Sequence, residues 1–501
     1  RKLYPNLKID ITGVTTQGDK ILDKSLDKIG GKGLFTKELE LGLLEETADI
    51  AVHSLKDMSS EHFFGGNRFA VPDRNDVRDI AIFNKDIINK IRSGESIIVG
   101  TCSPRREEMA TEFLRKALPQ IHSEIIVETK PIRGNVETRL RKLNSGEYDA
   151  TILATAGLNR LLSSESDSPL IKELLKDKKL MLLPLIECVP APCQGAVVGE
   201  AHYSNQKAIR VLGHINDQKL FDDCVAEKKA AAAYGKGCLQ KFGVTTLSYE
   251  DSDTLYAAGR DQYEKEFNYW YTVPELKTEH KNFFSSTDHM GSFFEYDYDP
   301  GEIKIEAPVV YVSNYKALAQ SAPDSYRDNN HLPIAIGTSL LVQSLQQTRV
   351  WAAGTKTWYE LAKQGIWVEG CADAFGLEFL ERAWQMPLLN ISKEDVQVIT
   401  NHHAAANWRE KGWKTSGTYE TKAQPKEELA KQIAEADIIF WTSFQQYELY
   451  KDVLKKNVQH VCPSGETAVL LRSAGLDPIV FPNIKSFQQW RKTISHSPSV
   501  G

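Results

Sequence analysis

The sequence predicts a multidomain α/β protein: two α/β domains, a small α+β domain, then a further α/β module of two lobes. Three observations carry that prediction. Between residues 1 and 200, short β-branched runs alternate with amphipathic helical patterns, the mark of sheets flanked by helices. Around 242–275 the alternation gives way to closely spaced runs, FGVTTLSY, DTLYAAGRD and FNYWYTV, which read as antiparallel strands behind an Ala-rich helix at 222–233. From Pro308 the first pattern resumes, with VVYVS, RVWAAG, VQVITN and ADIIFWTS each ending at a small or polar residue before a helix.

Taken in order, a strand is expected over 7–14, a helix over 34–46 with Phe35, Leu39 and Leu43 on one face, and a strand over 49–53. Strands over 96–100, 124–128 and 149–154 follow, each joined to a helix, so two α/β units precede residue 195. The stretch 285–308, rich in Ser, Asp, Gly and Pro, reads as a linker. Beyond it, the recurring strand-to-small-polar junctions at Ser313, Gly354, Asn401 and Ser443 predict two similar lobes around a cleft, because ligands of such sheets sit at the carboxyl ends of strands.

Composition narrows the function. A chain of 501 residues with 41% hydrophobic content is too long for one core and too apolar for wholesale disorder. Its 61 basic against 67 acidic residues give a net charge of -6, so no global field attracts nucleic acid or an anionic membrane, and any anion site must be local. No apolar run approaches the roughly 20 residues needed to cross a bilayer. The seven cysteines include no CxxC pair and no zinc spacing, which points to a reducing, cytoplasmic setting without a disulfide framework or metal. Because the chain opens at Arg1 in mid-pattern, a preceding N-terminal segment is expected.

Several local clusters favour anions. KIGGKGLFTKELE (28–40) joins a glycine-rich loop carrying Lys28 and Lys32 to a helix start, where backbone N–H groups and ammonium groups could converge. TCSPRR (101–106) follows a buried strand and sets Arg105 and Arg106 beside Ser103, while Arg133, Arg139 and Arg160 recur near later strand ends. Arginine matches carboxylates bidentately, and strand-to-helix junctions are where α/β proteins bind, so a polycarboxylate cleft is favoured over a set of surface ion pairs. HSLKD (53–57) puts Lys56 and Asp57 on the same rim. Asp57 is either a counter-ion or the one carboxylate that stabilises a developing positive charge. GKGC (235–238) places a thiol between Lys236 and Lys241, which would favour the thiolate, although most single cysteines are small buried hydrophobes.

These strings resemble hydroxymethylbilane synthase, also called porphobilinogen deaminase. TTQGDKILD, GGKGLFTKELE, ADIAVHSLKD, VGTCSPRR, IRGNVETRLRKLNSGEYDATILATAGLNRL, PCQGAVVGE and GKGC follow the family's order over most of residues 1–243. The resemblance implies two periplasmic-binding-protein-like α/β domains, 1–76 with 194–215 and 77–193, and a third domain, 216–284, carrying a dipyrromethane cofactor covalently on Cys238. It makes Asp57 the catalytic carboxylate. Lys32, Lys56, Asp57, Ser103, Arg105 and Arg106 match cofactor contacts, and Lys28, Phe35, Arg133, Arg139 and Arg160 match substrate contacts, Phe35 as an active-site aromatic. Porphobilinogen brings acetate and propionate groups that need the arginines, and loss of ammonia leaves a cationic centre that needs Asp57. The family's opening strand and helix have no counterpart here, and Lys236, Leu239, Gln240 and Lys241 replace small and apolar neighbours of the cysteine.

After a linker at 285–307, residues 308–501 are similar to uroporphyrinogen-III synthase. VVYVSNYKAL, WAAGTKTWYELAKQGI, SGTYETK, ADIIFWTS and PSGETAVLLRSAGL carry that similarity. It implies a substrate cleft lined by Ser313, Thr357, Ser443 and Thr467, with Tyr419 assisting departure of a hydroxyl; each residue could equally be a helix cap or strand-end hydroxyl. The expectation is a monomeric enzyme of haem biosynthesis that joins four porphobilinogen molecules into hydroxymethylbilane, a transferase reaction, and closes that product to uroporphyrinogen III, a lyase reaction. The alternatives are a working deaminase with a scaffolding second half, or an anion-binding protein without catalysis.

Overall fold

Six sheets organise the described residues, which in this computed structural model are 4–16, 36–58, 64–234, 240–249, 252–271, 281–289, 292–298, 303–321 and 340–495. The first sheet is antiparallel, with Ala196–Ala201 between Ile50–Ser54 and Phe69–Arg74. The chain therefore returns to its first domain after building the second. The expected strand at 7–14 is absent: residues 4–16 form no strand, and Ile11 is 92% exposed. No described strand lies alongside to take up its backbone hydrogen bonds, so its alternating apolar residues have no face to cover.

The second sheet runs in the order Val127–Lys130, Ile97–Gly100, Ala150–Ala154, Asp79–Phe83, Lys179–Leu182. The first three strands are parallel, and Asp79–Phe83 runs antiparallel to both of its neighbours. Every residue of Asp79–Phe83 is buried, the acid included. Helix Pro104–Ala117 leaves the carboxyl end of Ile97–Gly100 with Ser103 as its N-cap and proline in its first turn; Val136–Asn144 starts in the same way on Asn135. Helix Gln218–Tyr234 then leads into an antiparallel sheet of Lys241–Tyr249, Ser252–Arg260 and Glu266–Tyr271.

The stretch 285–307 is not a linker. Phe283–Ser285 pairs in parallel with Ile438–Phe440, and Phe294–Tyr298 pairs antiparallel with Tyr419–Ala423. Its aromatics set its place: Phe293 is buried in the core formed by Leu429, Ile433, Trp441 and Tyr450, and Phe294 packs against that core. Composition marked the segment as polar while its few apolar residues decided its place. The chain thus begins one lobe, crosses to another and crosses back. The lobe entered first holds a parallel sheet of Phe283–Ser285, Ile438–Phe440, Gln459–Pro463 and Ile479–Phe481. The other holds Val368–Cys371, Arg349–Ala352, Val309–Val312, Val396–Thr400 and Lys414–Gly417, also all parallel.

This five-stranded lobe packs on the second domain. Phe113 meets Trp358 edge-on with centroids 5.1 Å apart, and Phe83 meets Trp367 in the same way at 5.1 Å. The Trp367 indole N–H donates to the carbonyl of Leu180 on the edge strand, at 3.0 Å. Asp373 and Ala374 turn in the left-handed region, at φ 49° and 65°, and bring Phe375 against Leu185, Ile186 and Tyr256. No helix among the described residues is long and apolar enough to cross a membrane.

Candidate active site

The second sheet and the crossing segments beside it collect the predicted cations. Arg105 and Arg106, in the first turn of their helix, both turn inward to Asp79. Arg105 donates to its Oδ2 and Arg106 to its Oδ1, each at 2.7 Å. Arg105 also donates to the carbonyl of Val189 and Arg106 to that of Ile152. Burial alone would raise the Asp79 pKa, but the two guanidiniums hold it well below the carboxylate range. Asp79 was missed in the sequence, although an acid opening the otherwise apolar strand DIAIF was a signal.

Two nitrogens of Arg105 are thus occupied inside the protein, as are two of Arg106. Arg106 keeps a buried Nε with no hydrogen-bond partner among the described residues, and the Nε of Arg133 is in the same condition. Arg139 donates to the carbonyl of Gly134, and its pKa is pulled down to about 10, first by burial and then by the nearby Arg106. Ser103 accepts from the backbone N–H of Arg106, so its hydroxyl serves as a helix cap. Cys102 donates its thiol to the carbonyl of Ile132. Arg160 reaches the carbonyl of Gly195 at 2.7 Å, tying its helix to the crossing segment.

Lys56 and Asp57 come from the first domain, in a short 3-10 turn directly after strand Ile50–Ser54. Asp57 is exposed; Lys56 is half-buried and donates to Gln194 Oε1 at 3.3 Å. Burial lowers the Lys56 pKa, and Arg106 and Arg105 push it the same way against Asp57 and Asp79. Arg105 and Arg106 thus act on Lys56, and Arg106 and Arg133 on Arg139, so these cations lie close enough to feel one another. Desolvated cations and orphaned N–H groups of this kind fit an acidic ligand, and a dipyrromethane bearing carboxylate side chains has the matching chemistry. Lys28, Lys32, Phe35 and Cys238 lie outside the described residues.

In the second half, Ser313, Thr357 and Tyr419 lie toward the carboxyl end of the five-stranded sheet, beyond Val309–Val312, Arg349–Ala352 and Lys414–Gly417. Tyr419 is 3% exposed, its pKa is raised by burial, and its ring stands 5.8 Å from that of Tyr296. Ser443 and Thr467 belong to the other lobe. Ser443 forms a capping box with Gln446, and Thr467 sits in the first turn of helix Glu466–Ser473. The structure thus gathers three of the five on one lobe and leaves two on the other.

The domain described as porphobilinogen deaminase, dipyromethane cofactor binding domain, matches residues 1–210. A porphobilinogen deaminase of Chromobacterium violaceum is 41% identical over 254 residues, covering 50% of this chain and 74% of that one. The chain belongs to the porphobilinogen deaminase family. Porphobilinogen deaminases of Thiobacillus denitrificans and Laribacter hongkongensis are each 38% identical, covering 51% and 47% of this chain and 76% and 69% of their own. A solved structure from work on glutathione import in Streptococcus mutans aligns with 41% of this chain and 77% of its own, at 14% identity and a TM-score of 0.21.

Proposed function

We propose that this protein is a porphobilinogen deaminase of haem biosynthesis, joining four porphobilinogen molecules head to tail into hydroxymethylbilane with release of ammonia. What supports the reading is the grouping of cations: Arg106 and Arg133 both act on Arg139, Arg106 also acts on Lys56, and Asp57 is the next residue of the same turn as Lys56. These cations would bind the acetate and propionate groups of the substrate. Asp57 would stabilise the positive charge that develops as ammonia leaves, a role suited to an exposed carboxylate beside these cations. When bound, the dipyrromethane supplies the pyrrole carbon to which the first substrate unit is joined. Cys238 is its proposed attachment point, and Lys28, Lys32 and Phe35 are proposed to complete the site from the glycine-rich loop.

For residues 281–495 the proposed activity is closure of hydroxymethylbilane to uroporphyrinogen III, with substrate held between the lobes and Tyr419 assisting loss of the hydroxyl. What supports it is the pair of parallel sheets joined by the antiparallel ladder Phe294–Tyr298 with Tyr419–Ala423, which sets two rows of strand ends near one connection. A tethered second site would capture a linear product that otherwise closes spontaneously to the wrong isomer. The test is to feed porphobilinogen to the chain and resolve the oxidised products. Type III uroporphyrin supports both activities, type I alone leaves only the deaminase, and no porphyrin removes both.

A further inference from the structure

Gln194 lies where the chain returns from the second domain to the first, two residues ahead of the start of strand Ala196–Ala201. It is 1% exposed, and its side-chain amide is used at both ends. Its Oε1 accepts from Lys56 Nζ at 3.3 Å, while its Nε2 donates to Asp79 Oδ1 at 2.9 Å and to the carbonyl of Val77 at 2.8 Å. Its own carbonyl accepts from Arg74 Nε at 3.1 Å, and the next residue, Gly195, accepts from the backbone N–H of Asn75. One amide therefore touches the turn that carries Asp57, the carboxylate that grips Arg105 and Arg106, and both chain crossings between the two domains.

We infer that Gln194 is a positioning residue for the deaminase reaction, holding the Lys56–Asp57 turn of one domain in register with the Asp79–Arg105–Arg106 clamp of the other. The inference rests on the deaminase reading for its kinetic consequence. An amide suits this place because it is neutral and two-faced. It accepts from an ammonium that burial would otherwise discharge, and it donates to a carboxylate already shared by two guanidiniums. A carboxylate here would face Asp79, and an ammonium would face Lys56, Arg105 and Arg106. Neither could serve both partners.

The experiment uses the full chain carrying its cofactor, with Gln194→Met and Gln194→Glu. Gln194→Met keeps the volume but loses all three side-chain hydrogen bonds, and kcat is expected to fall roughly 10- to 100-fold with KM changed much less, because the reacting groups are misplaced and binding is retained. Gln194→Glu can donate to Asp79 only when protonated, so its activity should decline progressively as pH rises through a range where the unaltered enzyme holds steady. A second readout does not depend on turnover: the rate of Lys56 acetylation by acetic anhydride, relative to the exposed Lys116, read by mass spectrometry at neutral pH. Loss of the acceptor destabilises the charged ammonium, so the ratio should rise in Gln194→Met. Equal kcat in the unaltered chain and both variants, with equal acetylation ratios, overturns the inference. Absence of turnover in the unaltered chain overturns the deaminase reading instead, and the acetylation ratio then decides the role of Gln194 alone.

Discussion

The indole N–H of Trp358 donates to the main-chain carbonyl of Ala117 at 3.0 Å, and both partners are buried where the second deaminase domain meets the five-stranded lobe. The carbonyl belongs to the last residue of helix Pro104–Ala117, the helix whose first turn carries Arg105 and Arg106. One end of that helix thus grips Asp79, and the other is capped by the C-terminal half.

Replacing Trp358 with alanine removes that hydrogen bond and the edge-on contact with Phe113, opening a cavity between the halves. Stability is expected to fall by about 3 to 5 kcal/mol. Urea unfolding followed by tryptophan fluorescence checks the magnitude, and a second, earlier transition should appear as the halves part. A loss below about 1 kcal/mol would mean that the two halves are only loosely associated.

Asp373 makes stability depend on pH. Burial raises its pKa to about 6, and the nearby Arg78, with backbone groups of Leu185 and Ile186, offsets this only in part. A carboxyl whose folded pKa is raised favours the fold fully below its unfolded value near 4, and that contribution is lost as pH rises to about 6. Above pH 6 the charged form is buried at a cost of about 3 kcal/mol. Asp373→Asn, which also tolerates the left-handed backbone, should therefore be more stable than the unaltered chain at pH 8, with the difference shrinking toward pH 4.5. A difference independent of pH would show that Asp373 is ionised throughout.

Asp57→Asn should leave the added mass of the dipyrromethane on the protein and lower porphobilinogen turnover about 10²- to 10³-fold, since it removes a charge acting on the transition state. Intact mass and a single-turnover assay report the two effects separately. Turnover close to normal would take Asp57 out of the chemistry.

Tyr419→Phe tests the proposed second activity without disturbing the first. The hydroxyl is removed while the ring, packed near Tyr296, stays in place. The fraction of type I uroporphyrin should rise at an unchanged rate of porphobilinogen consumption. An unchanged isomer ratio returns Tyr419 to a structural role.

Much of the architecture was legible because periodicity reports on burial. The strands at Ala150–Ala154 and Val396–Thr400 are apolar runs ended by small or polar residues, and they lie where the pattern puts them. The arginines at strand ends were legible for the same reason. What periodicity could not show was long-range pairing. The strand Phe283–Ser285 is three residues long, and its identity depends on Ile438–Phe440. Likewise, Arg105 and Arg106 were visible as cations, but their shared carboxylate lies on another strand, and Gln194, which links that carboxylate to Lys56, is an ordinary amide in sequence. Chemistry made by contact between distant segments leaves little local trace.

The chain's double crossing between lobes also orders its synthesis. Phe283–Ser285 leaves the ribosome long before its neighbour Ile438–Phe440, and the whole five-stranded lobe is made in between. The nascent chain can complete that inserted lobe and dock it on the finished deaminase domain while the outer lobe is still a single unpaired strand. A translation pause ahead of residue 438 would leave Phe283 and Phe284 exposed on a naked edge, a template for pairing between chains on one polysome.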